Sequence, residues 1–142
     1  MIADFNTLPL MFIECNKKYF NSSLPRPKYD IMHKNGTLAK FVYNKNKNGK
    51  YPIRLQKIVM SDLFDFPEDI FRDIVIHEMI HYYIAWNGIK DNKTHGREFM
   101  KMANELNEKY GLNVTKYFDA SPYLRPEYAS KKRGLFNFLF GR

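Results

Sequence analysis

The sequence contains a single cysteine, Cys15, and has no long hydrophobic run. One thiol excludes a disulfide within the chain and any zinc ribbon or finger built from cysteines. The apolar runs fall well short of the roughly 20 residues that a membrane-spanning helix requires. The first residues also lack the basic and apolar segments of a secretory signal peptide. We therefore expect a cytoplasmic protein that does not span a membrane.

The chain has 142 residues, of which 44% are hydrophobic and 16% are aromatic. A chain of this length buries about two-thirds of its unfolded surface, and this composition can fill one core. Length and composition therefore predict one folded unit and disfavour disorder. We place the domain at residues 1–115 and expect residues 116–142 to form a basic, aromatic extension that packs on it.

The net charge of +8 is unevenly distributed along the chain. Residues 26–57 contain nine Lys or Arg and one acidic residue, whereas residues 58–115 contain six basic and ten acidic residues. Segregated positive charge is typical of proteins with a polyanionic partner. A second basic group, residues 131–133, precedes an apolar run. This tail either docks on the domain itself or contacts a membrane surface, a partner or DNA.

The basic stretch falls on predicted strands and has two interpretations. Its side chains either contact nucleic-acid phosphates, with aromatic residues stacking on bases, or form a solvated face that protects an edge strand. The candidate nucleic-acid-binding residues are Lys40, Lys45, Lys47, Lys50, Arg54 and Lys57, and the interleaved aromatic residues are Phe41, Tyr43 and Tyr51.

Apolar periodicity predicts three helices and a small sheet. The second helix is apolar nearly all round, so we expect it to be central and buried. Gly88 and Gly111 are the predicted stops of the second and third helices. The predicted helices begin near Thr7 and end before Pro25, cover residues 67–87, and cover residues 96–110. The predicted strands cover residues 29–33, 38–44 and 52–60, which fit a small antiparallel sheet in an α+β fold.

The central helix carries the pattern H-E-x-x-H at residues 77–81. Histidines four residues apart lie on one helix face, so His77 and His81 can bind one Zn²⁺. Glu78 projects beside that face, where it can contact a water molecule at the metal without binding the metal. Composition alone predicts roughly 0.005 chance matches, so the pattern indicates a metal site. The alternative is a pair of core histidines beside an unrelated glutamate.

A catalytic zinc site has three protein ligands and one open position. His95 is the best third ligand, because the helix that follows it must pack on the central helix. We expect His33 to be a structural or surface residue instead. The candidates for orienting the imidazoles are Asp73, Asp91 and Glu98. The candidates for a second donor to the reaction's oxyanion are Tyr117, Tyr123 and Arg125.

The motifs resemble the SprT-like family of zinc metallopeptidases, in which H-E-x-x-H is followed by His-Gly-x-x-Phe at the next helix. The likeness covers about residues 5–110. The matching residues are His77-Glu78-Met79-Ile80-His81, Trp86, Gly88 and His95-Gly96-Arg97-Glu98-Phe99, preceded by Tyr19-Phe20-Asn21, Leu24-Pro25 and Ile53-Arg54-Leu55.

The resemblance implies a zincin-like domain with His77, His81 and His95 as ligands of one Zn²⁺ and Glu78 as catalytic base. It also implies proteolysis of proteins associated with DNA. The cysteine zinc ribbon that often follows this core is missing. By analogy with other zinc peptidases, an extended substrate would pair with an edge strand, either residues 38–44 or residues 52–60. The alternative function is a DNA-binding module whose zinc site is structural or inactive.

Overall fold

A computed structural model of the chain describes residues 1–33, 36–43 and 56–129. Residue 44 of the second predicted strand, residues 52–55 of the third and the tail 130–142 therefore lie outside the described residues. Three helices and three strands are present in this part of the chain. They are α1 (Thr7–Tyr19), β1 (Lys28–Met32), β2 (Ala39–Tyr43), β3 (Gln56–Ser61), α2 (Glu68–Trp86) and α3 (Arg97–Tyr110).

The three strands form one mixed sheet in the order β1-β3-β2. Strand β3 pairs parallel with β1, where Lys28 lies beside Lys57, and antiparallel with β2, where Ala39 lies beside Met60. The α+β class is confirmed, but the prediction of a wholly antiparallel sheet is wrong. Parallel neighbours need a long crossover connection, and the segment that contains β2 provides it between β1 and β3. Strand β3 then lies between β1 and β2 in the sheet.

Helix α2 is the centre of the core, as its all-round apolar sequence predicts. Its residues from Ile74 to Tyr82 are all buried. Strand β2 covers one side, where the rings of Phe41 and Tyr82 stack with centroids 5.1 Å apart. Helices α1 and α3 pack on other sides of α2. Phe12 of α1 and Phe99 of α3 are among the fully buried residues. Polar side chains in the middle of α2 therefore lie in a largely apolar environment.

The predicted helix stops are confirmed. Gly88 (φ +64°) and Gly111 (φ +67°) have the left-handed backbone that glycine adopts without strain. The backbone N–H of Ile89 donates to the carbonyl of Ile84 at 2.9 Å, which closes the end of α2. The loop from Asn87 to Gly96 therefore starts by turning sharply back along α2.

Residues after α3 run back over the core. Val114 and Ala120 are buried, and the backbone N–H of Arg125 donates to the carbonyl of Leu63 at 2.9 Å. Two short 3-10 turns follow, Ser121–Tyr123 and Pro126–Tyr128. The division of the chain at residue 115 stays a prediction. None of the described helices has the length and apolarity needed to cross a membrane.

Candidate metal centre

Helix α2 presents His77 and His81 one turn apart on the face that meets α3. His77 is fully buried and His81 is 8% exposed. The loop after α2 brings His95 back to them, just before α3 begins at Arg97. The three side chains form a cluster whose nitrogens could hold one metal ion. The structure thus brings together all three histidines that the sequence predicts as ligands.

The Nε2 atoms of the three histidines form a nearly equilateral triangle. His77 and His95 are 3.0 Å apart, and His81 lies 3.2 Å from each of them. A tetrahedral zinc ion with Zn–N bonds of about 2.0–2.1 Å holds its nitrogens about 3.3 Å apart. The triangle therefore has the dimensions of one face of a zinc tetrahedron. His33 is not in this cluster and instead lies 2.6 Å from Asp62 through its Nδ1.

A backbone carbonyl sets the tautomer of His77. The Nδ1–H of His77 donates to the carbonyl oxygen of Thr115 at 2.8 Å. Because a carbonyl only accepts, Nδ1 carries the proton and Nε2 keeps a lone pair directed at the other two imidazoles. This arrangement is typical of metal-binding histidines, whose second nitrogen donates to an outer partner. Sequence reasoning missed Thr115, since a backbone acceptor has no residue-type signal.

The acidic residues proposed as orienting partners have other contacts. Asp73 is paired with Arg72, with 3.0 Å between the charged groups, and accepts the backbone N–H of Asn113. The Oδ2 atom of Asp91 accepts the backbone N–H of Phe99 at 3.0 Å, so Asp91 caps α3. Asp91 therefore supports the metal centre through the first turn of the helix that follows His95. Burial lowers the pKa of His81, and the charge of Asp91 opposes this larger effect.

Gly96 lies close to the side chains that cap α3. It is buried, and a Cβ atom there would overlap Oδ1 of Asn92 and Oδ1 of Asp91. The Asn92 side chain in turn accepts the backbone N–H of Arg97 at 3.3 Å. A side chain at this position would displace both capping side chains, so glycine next to the third histidine preserves the cap of α3.

Phe99 forms the apolar wall of the cluster. Its ring centroid lies 4.7 Å from those of His77 and His81 and 4.9 Å from that of His95. Phe99 is fully buried, so it also excludes water from that side of the imidazoles. The His-Gly-x-x-Phe pattern thus has a physical basis: it supplies a ligand, a site without a side chain, and a packing ring.

The carboxylate of Glu78 is fully buried beside the histidines. Neither oxygen has a hydrogen-bond partner among the described residues, although Oε2 lies 4.0 Å from His77 Nε2. Burial raises the pKa of Glu78 well above its usual value, and the backbone N–H of Phe41 opposes this rise without meeting hydrogen-bond geometry. A buried polar group is costly unless it is paired. A metal ion with water beside it would supply the missing partner, so these residues fit a metal site.

The histidines are held in the neutral form that binds metals. Burial lowers the pKa of His77 well below its ordinary value, and the neighbouring His81 adds to this effect. Burial and then His95 lower the pKa of His81 to about 3. Burial and then the positive charge of Lys116 lower the pKa of His95. Neutral imidazoles with free lone pairs are what a metal ion requires.

Tyr117 alone among the three predicted oxyanion donors lies at the cluster. Its ring centroid is 6.0 Å from that of His95, and the residue is 58% exposed. Tyr123 packs on Phe66, with ring centroids 5.5 Å apart. Arg125 donates to the backbone carbonyl of Asp62 at 2.9 Å. Tyr123 and Arg125 therefore have structural contacts elsewhere.

The two strands considered for substrate pairing differ in position. β3 is paired on both sides, so residues 56–61 cannot accept another strand. Within the described residues, β2 pairs on one side only. Strand β2 also packs directly on α2, and Phe41 lies beside Glu78. Its second edge is therefore the position next to the metal centre where an extended peptide could add.

The lysines predicted to contact nucleic acid lie only partly within the described residues. Lys40 and Lys57 are on the outer face of the sheet, opposite the face that contacts α2 through Phe41. Lys28 shares this face as the register partner of Lys57. Lys57 Nζ lies 3.5 Å from Asp30 Oδ2, so one of the three positive charges is partly balanced. The members of the set outside the described residues are Lys45, Lys47, Lys50 and Arg54.

The expectation that Phe41 is available for stacking on bases is wrong. Phe41 is 2% exposed and contributes to the core. Successive side chains of a strand point to opposite faces, so Phe41 and Tyr43 face away from Lys40. Tyr43 is 50% exposed, but it lines a cleft beside the metal centre. Tyr51 lies outside the described residues.

The fold and the cluster define a class of protein: a small α+β domain in which a buried helix and the turn before the next helix present three histidines that could bind a metal ion. The sequence matches the SprT-like family over residues 8–118, and the chain belongs to that family. The match includes the whole cluster and Thr115. With one cysteine in its 142 residues, the sequence contains no cysteine zinc ribbon. No curated protein matches the sequence.

Proposed function

We propose that this protein is a zinc-dependent endopeptidase that hydrolyses peptide bonds of protein substrates. The observation that carries the proposal is the buried Glu78 carboxylate, which has no hydrogen-bond partner among the described residues and lies beside three histidines able to hold a metal ion. A purely structural site would not need a base at this position. A carboxylate beside an open metal position is the arrangement of a general base acting on water.

Zinc is the metal that this donor set suits. Three neutral imidazoles that leave a fourth position open are typical of catalytic zinc sites. His77, His81 and His95 would hold the ion. When bound, zinc supplies Lewis acidity, which polarises the scissile carbonyl and lowers the pKa of water.

The side chains around the cluster have distinct roles in the proposed reaction. Glu78 takes a proton from the attacking water and passes it to the leaving amine. Tyr117 donates its hydroxyl proton in a hydrogen bond to the oxygen that becomes negative in the transition state. The edge of β2 that does not face β3 holds the peptide extended, so that its scissile bond lies over Glu78.

Metal analysis of protein purified without added zinc tests this proposal directly. We expect about one zinc per chain and cleavage of an unfolded protein substrate that stops with a chelator and returns with zinc. Preparations without zinc that also fail to take it up would refute the proposal.

The substrates we propose are proteins associated with DNA, and the sheet supports this part of the proposal. Lys28, Lys40 and Lys57 give its outer face a positive charge, on the side opposite the face that contacts α2. DNA could bind there without blocking the metal centre. Binding through phosphates should weaken steeply with salt. A flat salt response, or no retardation of single-stranded DNA, would contradict it.

The second candidate function is a DNA-binding module whose zinc site is structural or inactive. The same basic face favours it. DNA binding together with zinc content but without any cleavage that depends on Glu78 would support this alternative over the peptidase. The cytoplasmic location stays a prediction.

A further inference from the structure

A cleft of about 290 Å³ lies beside the metal centre, along the last turn of α2. His81 forms part of its wall. Ile84 and Ala85 follow His81 by three and four residues, so they share its helix face and extend the wall away from the cluster. The remaining described residues that line the cleft are Tyr43, Ile89, Asp91, Lys93 and Thr94.

The cleft has the size and lining of a site for one large apolar side chain. Its volume equals about ten water molecules at roughly 30 Å³ each. Ile84, Ala85 and Ile89 give it apolar walls, and the half-exposed ring of Tyr43 stands at its edge. Water against such walls is readily displaced by an apolar group.

The charged groups of the cleft disfavour charged occupants. The carboxylate of Asp91 already accepts the backbone N–H groups of Phe99 and Asn92, at 3.0 and 2.8 Å. Lys93 is exposed at the cleft and would repel a basic side chain. Both oxygens of Asp91 therefore already accept hydrogen bonds, and the charges of Asp91 and Lys93 are opposite, so the cleft has no net charge that would favour lysine or arginine.

The position of the cleft connects it to the substrate chain. His81 belongs both to the metal cluster and to the cleft wall. Tyr43 is the last residue of β2, the strand beside which an extended substrate would lie. A peptide on that edge would project alternate side chains toward α2. One of them, close to the scissile bond, would enter the cleft.

We propose that this cleft is a specificity pocket that binds a bulky apolar side chain, such as leucine or phenylalanine, of a substrate residue next to the scissile bond. The inference rests on the proposed peptidase function. It adds a substrate class to it: extended, unfolded segments that expose large apolar residues. Folded proteins bury such residues and would be poor substrates.

Peptide binding can be measured without cleavage in zinc-loaded Glu78→Gln protein. The probes are two series of labelled peptides that cover one cleavage site. One series has Phe, Leu, Ala or Lys just before the scissile bond, and the other has the same residues just after it. We expect the Phe and Leu peptides to bind about tenfold or more tightly than the Ala peptide at one of the two positions, because burying a large apolar side chain is favourable.

Two substitutions test the pocket itself, one that reduces its volume and one that enlarges it. Ala85→Phe fills the cleft and should reduce the preference for Phe over Ala to less than about twofold. Ile89→Ala widens the cleft, so it should weaken Leu binding and favour a Trp peptide. Leu106→Phe is the matched control, since Leu106 is half-buried on α3 and lines a different groove. It should leave the preferences unchanged.

Failure of this inference can be told from failure of the proposed function. Protein that holds zinc and cleaves peptides, yet shows equal affinity for Phe and Ala peptides or an unaltered preference in both cleft variants, would overturn the pocket alone. Protein without zinc or without cleavage would overturn the peptidase. If circular dichroism shows that Ala85→Phe does not fold, the peptide preference of Ile89→Ala tests the pocket.

Discussion

The ring of Phe99 is stacked on the imidazole of His81, with the centroids 4.7 Å apart and the planes inclined by 27°. Phe99 also contacts the other two imidazoles of the cluster. One apolar side chain therefore fixes the orientation of three candidate ligands. Loss of its ring should affect both the stability of the core and the affinity for metal.

Phe99→Ala should lower the free energy of unfolding by about 3–5 kcal/mol, because it leaves a cavity in the core. It should also weaken zinc binding, since the imidazoles lose the ring that holds them. Urea denaturation and a zinc competition titration measure the two effects. Phe12→Ala is the control: Phe12 is equally buried but lies on α1, outside the cluster. If both variants lost zinc affinity equally, Phe99 would have no specific role in the site.

Glu78→Gln should abolish proteolysis while leaving the zinc content unchanged. The amide cannot accept a proton from water, so we expect the rate to fall by a factor of about 10² to 10⁴. His81→Ala should lose both zinc and activity. Metal analysis and cleavage of an unfolded protein measure the two quantities. Full activity of Glu78→Gln would assign the base to another residue.

Asp91→Ala should destabilise the protein by about 1 kcal/mol, the usual cost of losing a helix cap. Burial raises the pKa of Asp91, but the backbone N–H groups of Phe99, Glu98, Asn92 and Arg97 outweigh it and lower the pKa below the ordinary value of 3.8. A lowered carboxyl pKa stabilises the fold above the unfolded pKa and loses this effect as the pH falls through the folded value.

The gap in urea midpoint between wild-type protein and Asp91→Ala should therefore be full at pH 7 and shrink below about pH 4. Metal-free protein should be used, so that release of metal in acid does not contribute. Glu105→Ala is a control, since Glu105 is exposed on α3 beyond its first turn, and its gap should not change with pH in this way. A gap that grows in acid would contradict the assignment of Asp91 as a charged cap.

Tyr117→Phe should reduce the cleavage rate by about 10², the usual cost of losing one oxyanion donor, and should leave zinc content unchanged. The effect should fall on kcat and not on KM, because the hydrogen bond forms in the transition state. Tyr123→Phe is the matched control and should cleave at the wild-type rate, since Tyr123 packs on Phe66. Equal kcat in both variants would remove Tyr117 from the mechanism.

Cys15 should be unreactive in the folded protein. It is 1% exposed, and burial followed by the nearby Glu14 raises its pKa to about 12. A raised pKa means that the reactive thiolate is scarce at pH 8. A thiol-specific disulfide reagent should modify Cys15 slowly in native buffer and fully in denaturant. Rapid modification of native protein would show that α1 opens readily.

Local features of the sequence predict most of the helices and the ligand triad. Gly88 and Gly111 end helices for a reason confined to their own backbone, and four-residue spacing alone brings His77 and His81 to one face. The strand order could not be predicted in this way. Alternation shows which residues share a face, but the parallel pairing of β1 with β3 depends on contacts across about thirty residues.

The outer contacts of the site were predicted from the sequence only as a set of acidic candidates, and the carbonyl of Thr115 was not among them. Three acidic residues were equally plausible from sequence, and the turn that follows α2 selects Asp91 as the cap of α3. The basic face shows the same limit. Strand alternation places Lys40 and Phe41 on opposite faces of the sheet. One sequence alone does not show which of these two residues points toward α2.

The acceptor for His77 belongs to the main chain at Thr115, so any amino acid at that position would supply the same carbonyl. Sequence variation at residue 115 is therefore compatible with an intact metal centre, and no point substitution there deletes the hydrogen bond chemically. Shortening the chain before residue 115 would delete it. The smallest fragment with a complete metal centre must therefore extend past α3, beyond the last histidine of the cluster.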